Sequence, residues 1–136
     1  MGLNKLNKQD QSQVKEYFRI AKAEWEKHAY VQFSETASRD SNIDIHFEGT
    51  GTTRSDVGPQ SNGKTNMYFL GTLANGRSQR NFLHELGHAL GFDHEHERPD
   101  RSGQYSHYPM LNPDRLIAAS ALFDEESIMM QVLIFL

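Results

Sequence analysis

The spacing of apolar residues in the first half of the chain predicts one long helix followed by a sheet. Residues 10–28 carry an apolar stripe at helical spacing, formed by Val14, Phe18, Ala21 and Trp25. Asp10 is expected to cap this helix. Apolar and polar residues alternate in 42–48, and 30–34 has a similar character, so both segments predict strands. Residues 65–70 are apolar on both faces, which predicts a central strand.

Two further helices are predicted beyond this sheet. A turn at Asn75-Gly76 and a cap at Ser78 would open the second helix. Its buried face would consist of Phe82, Leu83, Leu86, Ala89 and Leu90. Asn112-Pro113 is typical of a cap followed by the first residue of a short helix, which would run on to Leu122. Residues 49–64, rich in Gly, Ser, Thr and Asn, are mostly loop.

The residues that can carry chemistry cluster in the second helix. His84 and His88 are four residues apart, so on a helix their imidazoles project from one face and can converge on one ion. Glu85 stands beside the first of them, where its carboxylate can act as a general base on a metal-activated water. Gly91 can take the left-handed conformation that ends a helix and turns the chain, which delivers His94.

The three His residues predict a catalytic zinc site. Three neutral imidazoles leave one position open for water, whereas a structural zinc is normally closed by four protein ligands, often Cys. The chain contains no Cys. We therefore predict one catalytic Zn²⁺ ion, bound by His84, His88 and His94.

The segment resembles a known protease family. Its string His-Glu-x-x-His-x-x-Gly-x-x-His, from His84 to His94, is the metzincin signature. Within that clan, Glu95 and the following Arg98-Pro99-Asp100-Arg101 resemble the astacin-type continuation. The resemblance implies a zinc-dependent metalloendopeptidase that hydrolyses internal bonds of a protein or peptide substrate by zinc-activated water, with Glu85 as the general base.

The resemblance also implies a fold. That fold is an α+β, metzincin-like zincin, in which a twisted mixed β-sheet is backed by two helices and a small C-terminal subdomain carries a Met-turn. One catalytic domain would span 1–136, with an upper subdomain at 1–91 and a lower one at 92–136. Phe123–Met129 resembles the approach to the Met-turn, which would make Met129 an apolar floor beneath the zinc rather than a ligand.

Further site residues follow from the same resemblance. Ser55, Asp56, Val57 and Gly58 resemble the edge strand that pairs with extended substrate at the upper rim of the cleft. Asp93 and Glu95 flank the third His and could orient it, and the Glu after this His contacts the mature N-terminus in the family. The simpler alternative is that both acids are solvated charges. His96 is interpreted as a bystander.

The chain departs from the family pattern near its C-terminus. Astacins carry a Tyr two residues after the Met-turn Met, where it binds zinc and stabilises the transition state, but Gln131 stands here. Catalysis would then be weaker, or a donor such as Tyr105, Tyr108 or His107 would replace the phenol. Relative to the family, both chain ends look trimmed. The apolar residues 132–136 are expected to be buried or to support self-association.

The composition limits the classes of binding partner that the sequence predicts. With 37% hydrophobic residues, 24% charged residues and a net charge of −4, the chain has no basic patch that would predict nucleic-acid binding. Its longest apolar run, 132–136, is too short to span a membrane. The polar N-terminus does not resemble a signal peptide. The family resemblance implies secretion, and a cytoplasmic location stays open.

Three other interpretations compete with the protease. The motif could be an amphipathic surface helix with fortuitous His residues, although many fixed positions coincide. The chain could be a catalytically weak or inactive zinc-bearing module that only binds peptides, against which the presence of Glu85 argues. It could also be a metal-stabilised structural protein, which the open fourth position disfavours.

Overall fold

The computed structural model describes residues 6–36, 38–48, 52–70, 77–110 and 123–130. The chain forms two compact units, Met1–Phe92 and Asp93–Leu136. The predicted turn at Asn75-Gly76, the predicted helix from Asn112 and the apolar segment 132–136 lie outside the described residues. The predicted organisation as a single domain divided after residue 91 stays a prediction.

Helix α1 spans Lys8–His28. Asn7, not Asp10, is its N-cap, so the prediction for Asp10 was wrong. The Asn7 side chain accepts a hydrogen bond from the Asp10 N–H at 2.9 Å and donates one to the Asp10 carboxylate at 2.7 Å. Asp10 therefore lies in the first turn, where its charge faces the positive end of the helix. The predicted stripe is buried at Val14, Phe18 and Ala21, as expected.

The sheet has three strands in the described part of the chain: β1 (Ile43–Glu48), β2 (Arg54–Ser55) and β3 (Thr65–Leu70). Their order is β1-β3-β2, with β1 parallel and β2 antiparallel to β3, so the prediction of a central strand is confirmed. The strand predicted at 30–34 is absent. There the Phe33 N–H donates to the Glu26 carboxylate at 2.7 Å, a side-chain partner in place of a neighbouring strand.

Helix α2 spans Arg77–Ala89, so Ser78 lies inside the helix and its predicted role as N-cap was wrong. Phe82 is fully buried and stacks on Phe69 of β3 at 3.9 Å between ring centroids. It also meets Phe18 of α1 edge-on at 5.8 Å. Burial of one such side chain contributes roughly 2–3 kcal/mol. These contacts fix α2 against both α1 and the sheet, and its opposite face carries the His residues.

The described residues therefore agree with the predicted α+β class, with two helices and a small mixed sheet. None of these helices combines the length and hydropathy that crossing a bilayer requires.

The described residues of the second unit, 93–110 and 123–130, form turns and short helices. Two 3₁₀ helices, η1 (Glu95–Glu97) and η2 (Gly103–Tyr105), lie in its first part. In its last part, the Met130 N–H donates to the Ser127 carbonyl at 3.1 Å and closes a turn that buries Met129. Its identity as a Met-turn stays a prediction.

Candidate metal centre

The first two predicted ligands stand one turn apart on α2. The ring centroids of His84 and His88 are 4.6 Å apart, with an angle of 88° between the ring planes. On the other side of the helix, Phe82 and Leu86 are fully buried. Because the apolar side of the helix is fixed in the core, the positions of both imidazoles are set before any ion binds.

The end of α2 orients His88. The Phe92 carbonyl lies 2.7 Å from Nδ1 of His88, and a carbonyl can only accept, so Nδ1 carries the proton and Nε2 keeps its lone pair. The Phe92 N–H donates to the Gly87 carbonyl and the Gly91 N–H to the His88 carbonyl, which is a Schellman end. Gly91 has φ of +101°, the left-handed conformation that the sequence predicted.

Glu85 is enclosed in the protein next to His84. It is only 6% exposed, and burial raises the pKa of its carboxyl to about 7. One of its oxygens, Oε2, has no hydrogen-bond partner among the described residues. A buried carboxylate oxygen without a hydrogen-bond donor lowers the stability of the folded state, so we expect this atom to have a partner such as a water or a cation.

His94 is the second residue of the second unit and lies just before η1. Its ring stacks on His96 with centroids 4.9 Å apart, and His96 in turn packs against Tyr108 at 4.3 Å. His96 is 1% exposed, and burial lowers its pKa. His96 is therefore a buried ring that packs against both His94 and Tyr108, and its interpretation as a bystander of the metal stays a prediction.

Two groups of side chains in the described residues can offer ligands to a metal ion. One is His84, His88 and His94, the set that the sequence named. The other is His94, His96 and Glu97, whose candidate ligand atoms all lie within 4.8 Å of one another. His94 belongs to both groups, so its orientation decides which set can act.

The two predicted acids beside His94 differ in their surroundings. Glu95 lies 3.4 Å from the Arg98 guanidinium and accepts a hydrogen bond from the Asp124 N–H at 3.0 Å. Asp93 is partly buried. The Glu95 N–H donates to the Met129 carbonyl at 3.1 Å, which places the buried Met129 beside the residue that follows His94. The proposed roles of Asp93, Glu95 and Met129 stay predictions.

The candidate transition-state donors are partly described. Gln131 lies outside the described residues. Tyr105 packs against Phe123 at 5.6 Å, whereas Tyr108 packs against His96. Of these two phenols, Tyr108 therefore contacts the group of side chains around His94.

The predicted substrate strand lies next to α2. Strand β2 covers Arg54–Ser55, and the Asp56 N–H still donates to the Asn66 carbonyl of β3 at 2.9 Å. Two residues later, the Gly58 N–H donates to the His88 carbonyl at 2.9 Å. Val57 between them is partly buried. The segment thus runs from the sheet to the last turn of the helix that carries the His pair.

Sequence reasoning missed Glu97. Its carboxylate oxygen Oε2 lies 3.8 Å from Nδ1 of His94. An acid three residues after a ligand approaches it only where the chain forms a tight turn, and nothing in the hydrophobic pattern predicted such a turn. The sequence therefore indicated only the acids adjacent to His94, Asp93 and Glu95.

The chain belongs to a family of zinc metallopeptidases. The family model of astacin, a peptidase family, matches residues 4–130. The chain is accordingly a member of the astacin family, as its motif predicted.

Its curated relatives are much longer proteins. Bone morphogenetic protein 1 of Xenopus laevis is 32% identical over 127 residues, which cover 82% of this chain and 17% of that protein. Tolloid-like protein 1 of Homo sapiens is also 32% identical over 127 residues, covering 82% of this chain and 12% of that protein. The chain thus spans less than a fifth of the length of these relatives.

Proposed function

We propose that the chain is a zinc-dependent metalloendopeptidase acting on internal bonds of a protein or peptide substrate. Family membership supports this proposal, and the observation that carries it is Glu85. A buried carboxylate with a raised pKa and an oxygen without a described partner stands beside the His pair of α2. A protein that only bound peptides would have no need of this group.

The side chains fit a zinc ion. Neutral imidazoles are preferred zinc ligands, and the proton that His88 holds on Nδ1 leaves Nε2 for the metal. We propose His84 and His94 as the other two ligands, which leaves one coordination position open. The Glu85 oxygen that lacks a donor is also consistent with a cation or an ordered water close to it.

The mechanism assigns the proton transfers to Glu85. When bound, zinc supplies a Lewis acid that polarises the scissile carbonyl and acidifies the attacking water. Glu85 accepts the proton of that water as its oxygen bonds to the carbonyl carbon. It then donates the proton to the amide nitrogen as the C–N bond breaks, which returns the carboxylate to its starting state. A general base works best with a pKa near the operating pH, and burial moves Glu85 in that direction.

The substrate would bind in extended form along β2. This strand has β3 on one side and, among the described strands, no neighbour on the other. The backbone groups of Ser55 to Gly58 that do not already bond β3 or α2 would bind the peptide, as in β-augmentation. The Gly58 bond to the last turn of α2 would keep the peptide near the His pair.

The remaining assignments complete the proposal. Met129 forms an apolar floor below the ion, and Tyr108 or Gln131 donates to the developing oxyanion. Secretion is inferred from the family alone.

The variant Glu85→Gln tests the function, with Glu126→Gln as the control because Glu126 is an exposed acid of the second unit. We expect Glu85→Gln to keep its zinc and its peptide affinity while turnover of a quenched peptide falls by roughly 10²–10⁴-fold. Turnover in the control should not change. If wild type and Glu85→Gln are equally inactive at equal zinc content but bind extended peptides, the protein is a binding module.

A further inference from the structure

The local backbone brings Glu97 next to His94. The Glu97 N–H donates to the His94 carbonyl at 3.2 Å, the i to i+3 bond of a 3₁₀ turn. His94 is the N-cap of this turn, with an extended backbone (φ −69°, ψ 135°), and Glu97 is the third residue of the turn. The Glu97 carboxylate lies beside the imidazole of His94, with Oε2 at 3.8 Å from Nδ1.

The other acid of this turn has different partners. Glu95 faces Arg98 and the Asp124 N–H, as described above, and Arg98 donates two bonds of 2.8 Å to Asp100. Among the acids of η1, Glu97 is thus the one that faces the ring nitrogen of His94. Both of these side chains are 24% exposed, so solvent screens their interaction less than on an open surface.

The plane of the His94 ring is supported separately. Stacking on the buried His96, which is held against Tyr108, limits rotation of the imidazole. A group that faces Nδ1 then influences which ring nitrogen carries the proton. A carboxylate accepts hydrogen bonds only, so it favours the tautomer with the proton on Nδ1.

We propose that Glu97 is a positioning residue, whose carboxylate keeps the proton of His94 on Nδ1 and so presents Nε2 to the metal. The distance of 3.8 Å exceeds a hydrogen bond, so the proposal requires a bridging water or a small rotation of the Glu97 side chain to complete the contact. The Phe92 carbonyl performs the same task for His88 at 2.7 Å. This inference rests on the proposed function, because it assigns His94 to the metal.

Zinc affinity provides the first test. We expect Glu97→Ala to weaken zinc binding by about 10–100-fold in a chelator competition, the usual cost of losing a carboxylate that orients a ligating His. Glu97→Gln keeps an acceptor without the charge and should fall between Glu97→Ala and wild type. Glu126→Ala, which removes an exposed acid of the same unit, should bind zinc as wild type does.

The imidazole itself provides the second test. In ¹⁵N-histidine spectra of the protein as purified, with its metal, the His94 proton should reside on Nδ1. This proton should exchange with solvent faster in Glu97→Ala than in wild type or Glu126→Ala. A change in overall stability alone would not produce this selective effect at one ring nitrogen.

Three results would overturn the inference. One is the same zinc affinity in Glu97→Ala and wild type, and another is unchanged exchange at Nδ1. The third is a second metal equivalent in wild type that Glu97→Ala loses, because His94, His96 and Glu97 would then be binding an ion of their own. A protein whose zinc affinity depends on Glu97 but that cleaves no peptide would refute the proposed function while supporting this inference.

Discussion

Helix α2 and the segment from His94 to Tyr108 both carry candidate ligands, but different forces hold them. The His pair of α2 is fixed by aromatic packing, above all by Phe82 between Phe69 and Phe18. His94, just before a 3₁₀ turn, stacks on a buried imidazole and lies near the Glu97 carboxylate. Arg101 braces that turn with hydrogen bonds to the carbonyls of Glu97 and Tyr108.

This difference determines how each part of the candidate site responds to pH, salt and substitution. Burial of apolar area depends little on pH and on moderate salt, whereas polar contacts at a partly exposed turn respond to both. The positions of His84 and His88 should therefore tolerate changes of pH and salt. The orientation of His94 should depend on particular side chains, so single substitutions there can adjust metal affinity without unfolding the protein.

The largest expected effect comes from removing the aromatic anchor. Phe82→Ala should lower the free energy of unfolding by about 4 kcal/mol, because it leaves a cavity between the sheet and both helices. The fully exposed Tyr30 offers the matched control, and Tyr30→Ala should cost less than about 0.5 kcal/mol. Chemical denaturation of the two variants measures both values. Similar losses would mean that packing does not anchor α2.

Glu85 makes the stability of the metal-free protein depend on pH. Its folded pKa of about 7 lies above the ordinary value of 4.5, so the folded state binds more protons between these values. Stability should fall as pH rises from about 4.5 to 7, by about 3 kcal/mol in total. Denaturation across this range should show the fall in wild type and Glu126→Gln but not in Glu85→Gln. A bound cation favours the carboxylate, so zinc should reduce the fall.

A persistent fall in metal-free Glu85→Gln would contradict this assignment. The pH dependence would then arise from other groups, and the burial of Glu85 would not penalise its charged form.

The sequence predicted the periodic elements of the first unit, for a physical reason. The stripe of α1, the alternation in β1 and the central position of β3 are periodic signals, and burial enforces them. Errors occurred where a polar side chain decided the structure. Asn7 rather than Asp10 caps α1, and Glu26 binds the Phe33 N–H where a strand was expected.

The same distinction, between positions fixed by periodic structure and positions decided by polar side chains, applies to the candidate site. His84, His88, Glu85 and the turn at Gly91 could be predicted because helix geometry fixes their spacing. The stacking of His96 and the approach of Glu97 could not, since they depend on a short 3₁₀ turn that has no periodic pattern.

The Arg101 brace allows a direct test of the polar region. Arg101→Lys keeps the charge but loses the planar fork that reaches the carbonyls of Glu97, Tyr108 and Pro109. We expect a loss of about 2 kcal/mol, with faster amide exchange in 95–110 and unchanged protection in α1. Arg19→Lys, on the exposed face of α1, is the control and should leave the free energy of unfolding unchanged. Equal protection of 95–110 in both variants would show that the brace is dispensable.

The smallest effect concerns Gly91, where α2 ends and the chain turns toward His94. An added Cβ would meet nothing within 4 Å, so Gly91→Ala costs only the left-handed backbone conformation, about 1 kcal/mol. Gly63 has φ of +75° and equally open surroundings, so Gly63→Ala should lose similar stability. If the chain relieves the strain at residue 91 by moving His94, zinc affinity should fall about fivefold in Gly91→Ala and stay unchanged in Gly63→Ala. Equal zinc affinity in the two variants would mean that Gly91 only ends α2 and does not orient His94. The orientation of His94 would then depend on the contacts of the following turn alone.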